Sequence, residues 1–227
     1  MTPGTDERPQ MSVEDFEELV RRAPETVRNR LEFYGGRLRL KHGPIDVEDF
    51  EELARVAPET VTLELINGKL EVKPVPDQLH GAIVMWLLRQ CMQQRPELAL
   101  YPQQGLRVPT YRNGRARADG ALAPLDHFID QEGEWASPEG VLMAVEVTSH
   151  DNDTDRRDRL EKGRAYAYVG IPVYLLIDRD NDTLVVHSAP QNGVYQNRRP
   201  YHYGSTVRLP SPVAITLETE KLKDYVT

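Results

Sequence analysis

Three carboxylates interrupt apolar or strand-like runs in this chain, and those interruptions are where chemistry is to be sought. Glu64 sits in Val61-Thr62-Leu63-Glu64-Leu65-Ile66, Asp119 in Arg117-Ala118-Asp119-Gly120-Ala121-Leu122, and Glu146 in Ala144-Val145-Glu146-Val147. Burying an ionised carboxylate in an apolar strand costs on the order of several kcal/mol unless it is paired or coordinated. Clustered carboxylates suit a hard cation such as Mg²⁺, which usually takes one or two of them and completes its shell with water and phosphate oxygens. Lys162 follows Glu146 by sixteen residues, and a lysine beside such a site can stabilise developing phosphate charge. The plain structural alternative puts Glu64 on an exposed strand face, makes Asp119 a turn residue before Gly120, and pairs Glu146 with an arginine.

Other chemistries are poorly served. The chain lacks both G-x-x-x-x-G-K and G-x-G-x-x-G phosphate loops. Ser149 has no nucleophile-elbow context, and Cys91 has no basic neighbour to activate its thiol. His127, His150, His187 and His202 are scattered without zinc-ligand spacing. His80 opens a helix, as a helix-start residue or as a functional group. Elimination leaves metal-dependent hydrolysis as the leading enzymatic reading.

The elements that would position these groups follow from periodicity. Val141–Val147 reads as a buried strand, the Asp/Asn-rich loop after it as turn and N-cap chemistry, and 154–169 as a helix carrying Leu160, Ala165 and Tyr168 on its apolar side, with Tyr166 nearby. Gly170-Ile171-Pro172 ends that helix and Val173–Ile177 enters a second strand. A strand–helix–strand unit of this length predicts a parallel crossover. Leu79–Gln94 reads as a helix with Ile83, Trp86, Leu87 and Cys91 at helical spacing. Leu98–Tyr101, Leu106–Val108, Ala116–Pro124 and Thr183–Ser188 are strand-like. The expected class is α/β in the mixed α+β sense: a mixed central sheet flanked by helices, with hairpins at its edges.

The beginning of the chain is duplicated. Residues 13–27 (VEDFEELVRRAPETV) and 47–61 (VEDFEELARVAPETV) agree at thirteen of fifteen positions. Leu31–Leu38 then resembles Leu63–Leu70, each a hairpin turning at Gly-Gly or Asn-Gly. Two copies fall short of a solenoid, which needs at least about three repeats. The expected division is an N-terminal extension over 1–44, disordered at residues 1–10, and one domain over 45–227. The first copy would pack on the domain edge or on a neighbouring subunit, which leaves room for a homodimer.

The full chain has 227 residues and a net charge of −8, with one cysteine. The lone cysteine fits a reducing cytoplasm, and no apolar run approaches the roughly 20 residues that span a bilayer. The acidic balance disfavours a general nucleic-acid binder, while basic clusters at Arg112-Arg115-Arg117 and Arg198-Arg199 allow a local groove.

With these residues in order, the chain resembles the Uma-type restriction endonuclease family of the PD-(D/E)XK nuclease superfamily. The resemblance rests on Glu64-Leu65-Ile66-Asn67-Gly68-Lys69-Leu70 with His80 at a helix start, on Glu146-Val147-Thr148-Ser149, and on Lys162, Tyr166 or Tyr168, Gly170–Tyr174 and Leu176-Ile177-Asp178. It covers roughly residues 45–220 and implies a restriction-endonuclease-like core. It also implies Asp119 and Glu146 as ligands of Mg²⁺, with Mn²⁺ as a substitute, Lys162 as a catalytic lysine moved from strand to helix, and Glu64 as the acid that completes the site. His80 is an accessory candidate. Ala118 stands where the superfamily has proline and Thr148 where it has the strand lysine. The implied activity is a metal-dependent endonuclease hydrolysing DNA. The alternatives are a nuclease-fold module weak or inactive in catalysis, and a hydrolase of small phosphoesters.

Overall fold

A computed structural model describes residues 10–73, 75–109, 113–148 and 157–225. The chain divides into two compact units, Met1–Val75 and Pro76–Thr227. Sequence alone puts the boundary at 44/45, upstream of this division. The expectations for residues 1–9, for Arg112 and for the loop at 149–156 lie outside the described residues.

The first unit holds both copies. Copy one is α1 (Val13–Arg22), a short α2 (Glu25–Arg28) and the β1–β2 hairpin (Leu31–Tyr34, Arg37–Leu40); copy two is α3 (Val47–Val56) and the β3–β4 hairpin (Thr62–Ile66, Lys69–Lys73). Both helices carry Glu and Asp in the first turn and end at an Ala before Pro24 or Pro58, as the macrodipole and the restriction on residues before proline favour. Ser12 caps α1 through its side-chain oxygen, 2.9 Å from the Asp15 amide. The hairpins differ in burial. Phe33, Tyr34, Arg37 and Leu40 of the first are all at least partly exposed, whereas Leu63, Glu64, Leu65 and Ile66 are buried.

The second unit is a mixed sheet with helices on both faces. α4 (Gln78–Gln94) precedes β5 (Leu98–Val108), β6 (Gly114–Pro124), β7 (Met143–Val147), β8 (Val173–Asp178), β9 (Thr183–Gln191) and β10 (Val194–His202). Within this unit the strands run in the order β10-β9-β8-β7-β6-β5. β7 and β8 pair in parallel, in the register Glu146↔Leu176, and the other neighbours are antiparallel. The parallel crossover predicted from sequence is thus present. Both of its strands are buried along their whole length, as a pair covered on two faces must be.

Alternation along these strands sorts their side chains. Met143, Val145 and Val147 of β7 and Val173, Leu175 and Ile177 of β8 enter one core with Ile83, Leu87 and Cys91 of α4. Burial pushes the Cys91 thiol up to about 12, so it serves as a small apolar filler. Short β11 (Thr206–Arg208) and β12 (Thr216–Glu218), with a 3₁₀ turn at Thr219–Tyr225, add Val207, Leu217 and Leu222 to the same core.

The opposite face is where the expected helix departs from its pattern. Its described part is a π-turn, Arg157–Lys162, followed by α5 (Gly163–Tyr168). The wider turn shifts the helical phase. Leu160 and Tyr168, expected on the apolar side, are 56% and 61% exposed; Ala165 is buried as expected, and Lys162 and Tyr166 turn inward with it. Gly163 allows the close approach: a Cβ there would sit 3.2 Å from the Tyr174 ring on β8.

Candidate active site

Glu146 stands on the α5 side of β7 because its neighbours Val145 and Val147 occupy the α4 side. It is fully buried, and so is Lys162. The Lys162 ammonium donates to Glu146 Oε2 at 3.0 Å and to the Arg117 carbonyl at 3.3 Å. Tyr166, four residues on and therefore on the same helical face, donates its hydroxyl to Glu146 Oε1 at 2.6 Å. One carboxylate is thus held by a cation and a phenol from a single helix. A lysine takes the place that the plain structural alternative gives to an arginine.

Asp119 lies on β6, one step beyond the Gly120↔Val145 pair of the β6–β7 ladder, so register carries it toward Glu146. It is 1% exposed, which sets aside the turn reading. Its Oδ2 accepts from the Val147 amide at 2.8 Å and stands 3.0 Å from His80 Nε2, while Oδ1 accepts from the Gln103 side chain at 3.1 Å. The Arg117 carbonyl that meets Lys162 is two residues before Asp119, and the Val147 amide that meets Asp119 follows Glu146. The two acids therefore share one seam of the sheet.

His80 is placed by a cap. Asp77 is the N-cap of α4 and accepts from the His80 amide at 2.7 Å. Its other oxygen accepts from Arg179 Nη1 at 2.9 Å. Burial raises the Asp77 carboxyl, but the His80 amide and the Arg179 guanidinium outweigh it and hold the group below its ordinary value. The Arg179 amide in turn donates to Thr148 Oγ1 at 2.9 Å. Thr148, at the strand position where a lysine was sought, is fully buried and continues the ladder by donating to the Ile177 carbonyl. Its role is to fix the end of β7.

Sequence reasoning therefore names four groups that the second unit brings near one another: His80, Asp119, Glu146 and Lys162. Glu64 belongs to the first unit, on β3, in register with Glu71 and with no exposed surface, so the exposed-face alternative fails for it as well. Tyr166 had a usable signal in its four-residue spacing from Lys162. Gln103, at a left-handed φ of 52° in β5, and the Asp77–Arg179 pair had none. The two described members of the first expected basic cluster are engaged in structure: Arg117 pairs with Glu134 and lies 5.1 Å over the Trp135 ring, and Arg115 donates to the Asn113 and Gly114 carbonyls.

Two buried carboxylates on adjacent strands form a hard, oxygen-rich donor pair. Among the described residues no group of three or more His, Cys, Asp and Glu side chains is gathered as a cation site. Carboxylate oxygens are the donor type that Mg²⁺ or Mn²⁺ takes, with water and substrate oxygens in the rest of the shell.

The model of the Uma2 family, described as "Putative restriction endonuclease", matches residues 47–220. A solved structure described as "a putative nuclease belonging to DUF820" from Anabaena variabilis shares 20% identity, with a TM-score of 0.59 over 81% of this chain and 100% of that one. At that identity the likeness speaks for the fold. No curated protein matches the chain.

Proposed function

The chain belongs to the Uma2 family, and from that premise we propose that it is a divalent-metal-dependent endonuclease hydrolysing phosphodiester bonds in DNA. The observation that carries the proposal is the Lys162–Glu146 contact of 3.0 Å. It supplies an ammonium beside two buried acids even though Thr148 occupies the strand position. Asp119 and Glu146 would hold Mg²⁺, or Mn²⁺ in its place. When bound, the ion neutralises phosphate charge and lowers the pKa of a bound water.

The remaining work falls to side chains. Lys162 stabilises negative charge as it develops on the scissile phosphate, a type of contact worth roughly 10²–10³ in rate. Tyr166 holds the second oxygen of Glu146, so the carboxylate cannot rotate. His80, Gln103 and the Val147 amide do the same for Asp119. The family resemblance assigns Glu64 as a further catalytic acid, and His80 as the accessory group.

The test is a supercoiled-plasmid assay with Mg²⁺ or Mn²⁺, run beside Asp119→Ala and Glu146→Ala. Nicking or linearisation by the wild type, lost in both variants, is the expected result. Cleavage at an unchanged rate in either variant overturns the assignment. DNA binding without cleavage points to an inactive nuclease-fold module, and turnover of bis(p-nitrophenyl) phosphate without DNA cleavage points to small phosphoesters.

A further inference from the structure

The two copies in the first unit pack on each other by a reciprocal rule. Thr26 of copy one donates its hydroxyl to Asp49 of copy two at 2.7 Å, and Thr60 of copy two donates to Asp15 of copy one at 2.7 Å. Thr26 is the counterpart of Thr60, and Asp15 of Asp49. The same contact is therefore made twice, once in each direction. Around it α1 packs on α3 and β2 approaches β4, and the counterpart leucines Leu19 and Leu53 are both fully buried.

Contacts of the form i-to-j and j-to-i are the signature of an isologous interface, the kind two identical subunits make about a two-fold axis. Here a single chain supplies both halves. We propose that residues 11–40 are a built-in cap: they occupy, within the chain, a self-complementary face of copy two (47–73) whose natural partner is a second copy of this chain. The wild-type chain is then monomeric through this face, and loss of the cap releases a dimerising surface. This inference is independent of the nuclease assignment.

Copy one shows the drift expected of a segment kept for packing. It retains the helix, the threonine and the aspartate. Between Val27 and its hairpin, by contrast, it is two residues longer than copy two, at the point where α2 ends. Its Glu32 is half-exposed where Glu64 is buried.

The test uses the full chain in sedimentation-velocity or light-scattering measurements. Leu19→Asp/Thr26→Glu damages the cap by burying one charge and setting a second carboxylate against Asp49, and should double the mass from one copy to two. Adding Thr60→Glu to that variant sets like charges against Asp49 of the second copy twice over and should restore the monomer. A cap variant that stays monomeric with a cooperative thermal melt, or a dimer indifferent to Thr60→Glu, overturns the proposal. Should that variant fail to fold, Thr26→Glu alone, at an exposed contact, takes its place: a dimer fraction that grows with protein concentration and is abolished by Thr60→Glu is expected, and a monomer at every concentration overturns the proposal.

Discussion

Lys162 and Glu146 are a fully buried ion pair, and such pairs respond asymmetrically to change. Removing one member strands a charge at a cost of about 3–5 kcal/mol, whereas replacing both by neutral groups is often tolerated. Lys162→Met should therefore destabilise the fold by about that amount in urea titration. Lys162→Met/Glu146→Gln should recover most of the loss while remaining inactive on plasmid. At this scale the sequence was informative wherever a residue offended its surroundings. Asp119 and Glu146 could be picked out because an acid inside an apolar strand demands an explanation. Gln103 could not, since a glutamine in a polar strand looks ordinary until the backbone turns it onto Asp119.

Elements place these groups, and two of them carry a testable pH dependence or stability. α4 is held at its start by Asp77, whose oxygens serve both the His80 amide and Arg179. Asp77→Ala should lower stability by about 1 kcal/mol for the lost cap and reduce activity by loosening His80. Because the folded-state Asp77 carboxyl is held low, its contribution is present above its ordinary pKa of 3.8 and fades as pH falls below that value. The β9–β10 edge behaves in a related way. His187 packs against the Tyr174 and Tyr195 rings, which also stack on each other; burial, with Arg198 adding to it, pulls its pKa from 6.5 to about 4. The neutral ring is the folded form, so this stabilisation is complete above 6.5 and is lost as pH falls toward 4. Melting temperatures across that range should slope less in His187→Phe than in wild type. The β7–β8 crossover and α4 were readable because long apolar runs at clear periods dominate their surroundings. The helix between β7 and β8 escapes such a reading because a π-turn over Arg157–Lys162 breaks the 3.6-residue period that points Leu160 inward, while Tyr168 is the exposed last residue of α5.

Across the whole molecule, the duplication was plain in the sequence, but its arrangement was not. A near-identical repeat announces itself in any alignment of the chain with itself; only the fold shows that the copies pair reciprocally within Met1–Val75. Burial also separates the roles of their counterpart acids. Glu32 is half-exposed and 3.9 Å from Lys41, an arrangement worth little at a surface. Glu32→Gln should change neither plasmid cleavage nor stability by more than about 0.5 kcal/mol. Glu64→Gln, at a site without exposed surface, should impair cleavage, and equal activity in the two variants would remove Glu64 from the proposed machinery. Among the described residues, no helix is long and apolar enough to cross a membrane.

The π-turn at Arg157–Lys162 has a consequence for mutational tolerance. A lysine on a strand is addressed by the ladder, and its position survives changes in the neighbouring loop. Here the ammonium is addressed by rotation, and each residue of a helix turns it by about 100°. Loss of a single codon between Lys162 and Tyr166, at Arg164 for example, preserves the reading frame, but it would swing Lys162 by one residue's rotation relative to Tyr166 and away from Glu146 while leaving the strands intact. Such an in-frame deletion should yield a folded protein by circular dichroism that fails to cut plasmid. This segment thus sets a length constraint that no single substitution scan would expose.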